Sequence, residues 1–136
     1  MPDRPADRPG NSPDAPIAVL VVDDDEMVLE FNALVLRRAG FDVTQVISGR
    51  EALRVTQERP HHYQLLLVDL SMPEMSGEET LLAMRLLEPG LPVLVCTGLE
   101  AEARLMMMRE TGRTGLLVKP YPASQLLDSV QALLKE

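Results

Sequence analysis

The run IAVLVVDDDE, residues 17–26, decides the fold: six apolar residues, four of them β-branched, stop abruptly at four acidic ones. A short continuous apolar run of this kind fits a strand buried on both faces of a parallel sheet. Directly beyond it, Met27, Phe31, Leu34, Val35 and Arg38 recur at helical spacing, and Gly40 sits where a C-cap glycine belongs. The unit is a strand followed by a helix.

That unit repeats along the chain. DVTQV (42–46) alternates as a strand does, and Ser48 with Glu51 predicts a capping box opening a helix towards Glu58, with Pro60 beyond it. QLLLVD (64–69), PVLVCT (92–97) and GLLVK (115–119) read as three further strands. Between and after them, helices are expected from about Glu78 to Leu87, from Glu100 to Glu110, and from Pro122 onward. In the last of these, Leu126, Leu127, Val130, Leu133 and Leu134 form one apolar stripe. Five strands alternating with five helices specify an α/β fold, a five-stranded parallel sheet covered on both faces.

The 136 residues suffice for one such domain. The first sixteen, MPDRPADRPGNSPDAP, hold five prolines and no large apolar residue after Met1, so residues 1–16 are expected to be a disordered tail or linker and 17–136 the folded domain. Twenty-one acidic residues against thirteen basic give a net charge of −8, which argues against direct binding of nucleic acid or of an anionic membrane. No run approaches the roughly 20 apolar residues of a membrane span, and the N-terminus lacks a signal-peptide core. A cytoplasmic protein is expected. The single cysteine, Cys96, lies in a strand among valines and reads as a buried thiol.

In open α/β sheets, ligands bind beyond the carboxyl ends of the strands. Strand one ends in Asp23, Asp24, Asp25 and Glu26, strand three in Asp69, strand four in Thr97 and strand five in Lys119. Taken singly, each has an ordinary reading as a turn, cap or solvated residue. Together they fall at four strand ends in order. Carboxylates from Asp23, Asp24 and Asp69 repel one another unless a cation compensates them, and an all-oxygen set without His or Cys suits Mg²⁺. Lys119 adds a fixed positive charge and Thr97 a hydroxyl, a combination that stabilises transferring phosphoryl oxygens around a carboxylate nucleophile.

With these residues in place, the sequence resembles the response-regulator receiver family over essentially all of residues 17–135. VLVVDDDE (19–26) is similar to the family's first-strand acidic motif. LLLVDLSMPEMSGEE (65–79), with Met72-Pro73 and Gly77, resembles the phosphoacceptor segment, VLVCTG (93–98) the fourth-strand Thr, and LLVKPY (116–121) the Lys-Pro motif, typically cis. The resemblance implies a flavodoxin-like (βα)5 fold and a switch that catalyses its own phosphorylation rather than a turnover enzyme. Asp69 would accept the phosphoryl group from a histidine kinase or phosphotransfer protein. Asp24 and Asp69, the Ser71 carbonyl and Asp23 would hold Mg²⁺, and Thr97 and Lys119 would hold the phosphoryl oxygens. The altered surface would then bind a downstream protein target, and helices four and five leave room for a phosphorylation-dependent homodimer.

Two departures stand out. Leu116 occupies the position of the family's aromatic switch residue and is expected to be a static residue at the core edge. Leu99, two residues after Thr97, stands where polar residues are frequent; beside Ser71 it is expected to shield the acyl phosphate and slow its loss. His61 and His62 read as exposed loop residues, and Met106–Met108 as partly core. Among other assignments, a receiver excised from a hybrid histidine kinase fits the Pro-rich start. A flavodoxin-like nucleotide-binding module lacks a Gly-rich phosphate loop, and a haloacid-dehalogenase-type phosphatase would need an Asp where Ser71 stands.

Overall fold

The computed structural model describes residues 15–70, 72, 75–107 and 112–135. The expected tail falls outside this set except for Ala15 and Pro16, as do Ser71 and the side chains of Met106–Met108.

Five strands and five helices alternate: β1 (Ala18–Val22), α1 (Glu26–Arg38), β2 (Asp42–Val46), α2 (Gly49–Glu58), β3 (Leu65–Val68), α3 (Gly77–Leu87), β4 (Val93–Thr97), α4 (Glu100–Met107), β5 (Thr114–Val118) and α5 (Ala123–Lys135). All strand pairings are parallel, in the order β2-β1-β3-β4-β5. After β1 the chain builds outward to β2, then crosses back to place β3 on the other side of β1. That reversal opens a crevice at the carboxyl ends of β1 and β3.

Alternation along each strand divides the core in two. Leu20, Val22, Leu66, Val68, Val93 and Val95 pack with Ala52 of α2, Leu81 and Met84 of α3, and Ala103 of α4. Val19, Val21, Leu65, Leu67, Leu94 and Cys96 pack on the opposite face with Leu29, Ala33 and Leu36 of α1 and Leu126, Val130 and Leu133 of α5. Strands β1, β3 and β4 are buried along their whole length, which is why they read as unbroken apolar runs. Cys96 is buried, and burial pushes its thiol up to about 12, against the opposing hydrogen bond from Tyr121 and the nearby Lys119 charge.

Helix starts depart from the sequence expectation in one place. Ser48 accepts from the Glu51 N–H, but the Glu51 carboxylate takes the N–H of Ile47 rather than that of Ser48. The reciprocal capping box is at α3, where Ser76 and Glu79 satisfy each other's backbone donors. Gly40 has φ +98°, as a helix-terminating glycine should. His61 adopts φ 62°, its N–H and Nδ1 both engaged by the carboxylate of Glu88 at 2.7 and 3.0 Å.

Gly77 allows α3 to sit against the end of β3. A Cβ there would lie 2.0 Å from the Asp69 carbonyl oxygen and 2.4 Å from Leu70 Cα, both backbone atoms. Gly77→Ala should therefore lower stability by about 1–3 kcal/mol, as overpacking does, read from the urea midpoint; an unchanged midpoint would mean that α3 is not seated this closely. The Cys96 thiol should resist alkylation in the folded protein at mildly alkaline pH while a denatured sample labels fully, as intact-mass measurement would resolve.

Candidate functional site

Carrying each strand's alternation one residue past its end puts Asp23, Asp69 and Lys119 on the same side of the sheet. Val22 is in register with Val68, so Asp23 and Asp69 emerge side by side. Backbone bonds fix both exits: Asp23 N–H donates to the Val46 carbonyl at 3.3 Å and Asp69 N–H to the Val22 carbonyl at 3.1 Å. On the neighbouring pair, the Lys119 N–H donates to the Thr97 carbonyl at 2.9 Å, and the Lys119-Pro120 peptide is cis.

The Lys119 ammonium reaches both carboxylates, 3.1 Å from Asp23 Oδ2 and 3.6 Å from Asp69 Oδ1. Asp23 and Asp69 are buried, at 1% and 6% exposure. Burial raises the Asp23 pKa despite the N–H of Asp25 and the charge of Lys119, which act the other way. For Lys119, burial works against the ammonium, yet Asp23 and Asp69 outweigh it and hold its pKa above the usual lysine range.

The three consecutive aspartates after β1 take three different positions. Asp23 points into the crevice, where its Oδ1 also accepts the Asp25 N–H at 2.9 Å. Asp24 is exposed at the rim. Asp25 caps α1, accepting from the N–H groups of Met27 and Val28. The sequence reading named Asp25 at the end of the strand and built the cation set from Asp23, Asp24 and Asp69; the place of Asp25 directly before a helical apolar pattern was the signal that it is an N-cap. One carboxylate oxygen from each of Asp23, Asp24 and Asp69 lies within 4.8 Å of the other two. Two buried acids, one exposed acid and no nitrogen or sulfur donor form a set that fits a hard, partly hydrated cation.

Thr97 ends β4 fully buried, and its Oγ1 accepts the Leu99 N–H at 3.1 Å, leaving its own O–H free to turn as a donor. Its alternation aligns it with Val93 and Val95, the face opposite to Cys96. Leu116 shares that face and is half-buried against the core. Leu99 is 39% exposed just beyond Thr97. Ser71 lies outside the described residues. The histidines are remote from this crevice: His61 pairs with Glu88, and His62 meets Tyr63 edge-on at 4.8 Å.

Beneath Lys119 the sequence reading missed a polar anchor. Tyr121 Oη donates to Oδ1 of buried Asn32 at 2.8 Å, linking the segment after β5 to α1. Burial raises the Tyr121 pKa, so the phenol stays protonated and donating. Asn32 interrupts an apolar helix face, which was the available sign.

Comparison with known proteins agrees with this geometry. The transcriptional regulatory protein PrrA of Mycobacterium leprae is 36% identical over 118 residues, covering 86% of this chain and 49% of that protein. The DNA-binding response regulator MtrA of Mycolicibacterium paratuberculosis is 32% identical over 118 residues, covering 86% of this chain and 51% of that protein. The chain thus spans about half the length of these curated relatives, and the DNA binding in the second name belongs to that longer protein. Among solved structures, the chemotaxis response regulator CheY4 of Vibrio cholerae superposes with a TM-score of 0.76 at 30% identity, over 88% of this chain and 100% of that one. The response regulator receiver domain family matches residues 19–131. With the parallel sheet, the acidic crevice and the Lys-Pro turn all in place, this chain belongs to the response regulator receiver domain family.

Proposed function

We propose that the chain is a phosphorelay switch that accepts a phosphoryl group on Asp69 and changes its affinity for a downstream protein. The observation that carries this reading is the Lys119 ammonium held between the buried carboxylates of Asp23 and Asp69. The donor is a histidine kinase or a phosphotransfer protein. A carboxylate oxygen of Asp69 attacks the phosphorus of the phosphohistidine; the new O–P bond forms as the P–N bond breaks, and the electron pair returns to the imidazole. Lys119 stays charged beside the attacking carboxylate and offers its N–H groups to the transferring oxygens. The Thr97 hydroxyl is the second donor, once it turns from the β4–α4 corner.

Asp23, Asp24 and Asp69, with Ser71, would hold Mg²⁺. When bound, the ion supplies charge neutralisation for the phosphoryl oxygens and for the repelling carboxylates. Phosphoryl transfer here is stoichiometric self-modification, so the chain acts as a signalling protein rather than a turnover enzyme. No helix among the described residues is long and apolar enough to cross a membrane, which supports a cytoplasmic site of action. The relatives named above are response regulators, which favours a response regulator over a receiver cut from a hybrid kinase. The output surface includes α4, β5 and α5. Leu116, packed at the core edge, cannot report activation by turning an aromatic ring, so the reorientation of Thr97 carries more of the signal.

Incubation with acetyl phosphate and Mg²⁺ should add one acid-labile phosphate to the wild type by intact mass. None should form without metal or on Asp69→Asn, and an equal gain on that variant would place the phosphoacceptor elsewhere. Leu99 is expected to restrict water at the site. Leu99→Asn should accordingly lose its phosphate several-fold faster than the wild type; an unchanged half-life would rule out that shielding role.

A further inference from the structure

Both partners of the ion pair in the crevice are tied to the same helix. At the start of α1, the Asp25 N–H donates to Asp23 Oδ1 at 2.9 Å. Two helical turns further along the same side, Asn32 accepts the Tyr121 hydroxyl at 2.8 Å. Tyr121 follows Lys119 by two residues, and its neighbours Pro120 and Pro122 carry no N–H to tie the turn down. The Tyr121 ring lies against Phe31, with centroids 6.3 Å apart, and its hydroxyl is within hydrogen-bond reach of the Cys96 thiol. Asn32 is 2% exposed on a helix face otherwise made of Leu29, Ala33 and Leu36. An apolar side chain would fill that place at least as stably, since a buried amide must be desolvated and gains little net from its hydrogen bond. What the polar pair adds is direction. A hydrogen bond of this length fixes where the Tyr121 ring stops, whereas an apolar contact lets it slide.

We propose that Asn32 and Tyr121 are positioning residues for Lys119, making α1 the common frame that sets the ammonium against Asp23 and Asp69. Its consequence for phosphoryl transfer rests on the phosphorelay reading; the placement of the ammonium does not. Lys119 Nζ is 3.1 Å from Asp23 Oδ2 and 3.6 Å from Asp69 Oδ1, so it leans towards the acid that α1 already steadies. During transfer it must serve oxygens arriving at Asp69 while its own stem stays in place. A turn free to drift would let the ammonium settle on Asp23 alone, and a misplacement of about 1 Å costs roughly a hundredfold in rate. Asn32 and Tyr121 act through the chain beside Lys119 rather than on the reacting atoms.

Two variants of the full chain test this. Tyr121→Phe removes only the hydroxyl. Asn32→Leu combined with Tyr121→Phe removes both polar groups at similar volume, and should keep the wild-type melting temperature. The chain has two lysines, and Lys135 is exposed, so lysine-selective ¹⁵N NMR reads Lys119 against an internal reference. The Lys119 signal is the one lost in Lys119→Arg. In the wild type it should stand apart from that of Lys135, and in both variants it should move towards it. With acetyl phosphate and Mg²⁺, both variants should take up phosphate about tenfold more slowly than the wild type. A purely structural pair predicts otherwise: the double variant would recover the wild-type melt, lysine signal and uptake rate together, and that result overturns the proposal. So does a Lys119 signal that Tyr121→Phe leaves in place, or a shifted signal with an unchanged uptake rate. Should the double variant melt early, Tyr121→Phe decides by the same two readouts. A wild type that takes up no phosphate refutes the phosphorelay reading instead, and the lysine signal alone then decides the positioning: moved, it stands; unmoved, it falls.

Discussion

The structure depends on keeping like charges close together in a place with little water. Asp23 and Asp69 emerge from adjacent strands and are both buried, with Asp24 at the rim, and one oxygen from each falls inside 4.8 Å. Two carboxylates at that separation repel by a few kcal/mol even at an effective dielectric of about 20. Lys119 is the counterweight, and it is held by the backbone: its N–H is bonded to Thr97, and the cis turn that follows carries the chain away. The backbone bond places Lys119 at the strand end, and the two carboxylates hold its ammonium at 3.1 and 3.6 Å. One cation against three acids leaves a net negative crevice, which is the electrostatic reason the site calls for a further cation.

Supporting elements are built around that crevice from both faces of the sheet. On one side, Tyr121 reaches past Cys96 to Asn32, so the Lys119 turn is tied to α1 by a buried hydrogen bond. On the other, α3 approaches so closely that only glycine fits at position 77, and the Ser76–Glu79 capping box fixes the direction in which α3 leaves. At its far end α3 is tied again, with Arg85 donating to the carbonyls of Leu91 and Arg113 and to the Thr114 hydroxyl. A displacement at the Asp69 backbone thus meets a helix anchored at both ends, one of them at the start of β5. Through α3, the packing behind Asp69 is thus continuous with the start of β5.

The fold was legible because β1, β3 and β4 are buried on both faces, and full burial leaves a periodicity signal that no surface strand gives. Strand ends were legible for the same reason: Asp69 and Lys119 end apolar runs, so their positions followed from where hydrophobicity stops. Local bonding chosen among near-equal partners was not legible. Ser48 and Glu51 have capping-box spacing, yet Glu51 bonds Ile47, while the box that forms belongs to Ser76 and Glu79. The Asn32–Tyr121 bond joins residues 89 apart and leaves no local pattern. The tight seat of Gly77 is likewise a tertiary fact, since a glycine after a proline-marked loop reads as an ordinary turn until the Asp69 carbonyl is seen behind it.

Three adjacent aspartates illustrate how backbone geometry, rather than residue type, assigns chemistry. Asp23 continues the alternation of β1 and is carried inward to Lys119. Asp24, one residue on, stays in solvent at the rim yet brings a carboxylate oxygen within 4.8 Å of those of Asp23 and Asp69, where it can meet a hydrated ion without losing its own hydration. By Asp25 the chain has begun to turn into α1, and the carboxylate folds back onto the N–H groups of Met27 and Val28. Its own N–H is spent on Asp23, so the cap also steadies the inward acid. The strand end and the helix start are thus one hydrogen-bonded unit: the acid that faces the crevice is held in place by the acid that starts the helix. This explains why an acidic run that looks redundant in sequence contributes two carboxylates, not three, to the site.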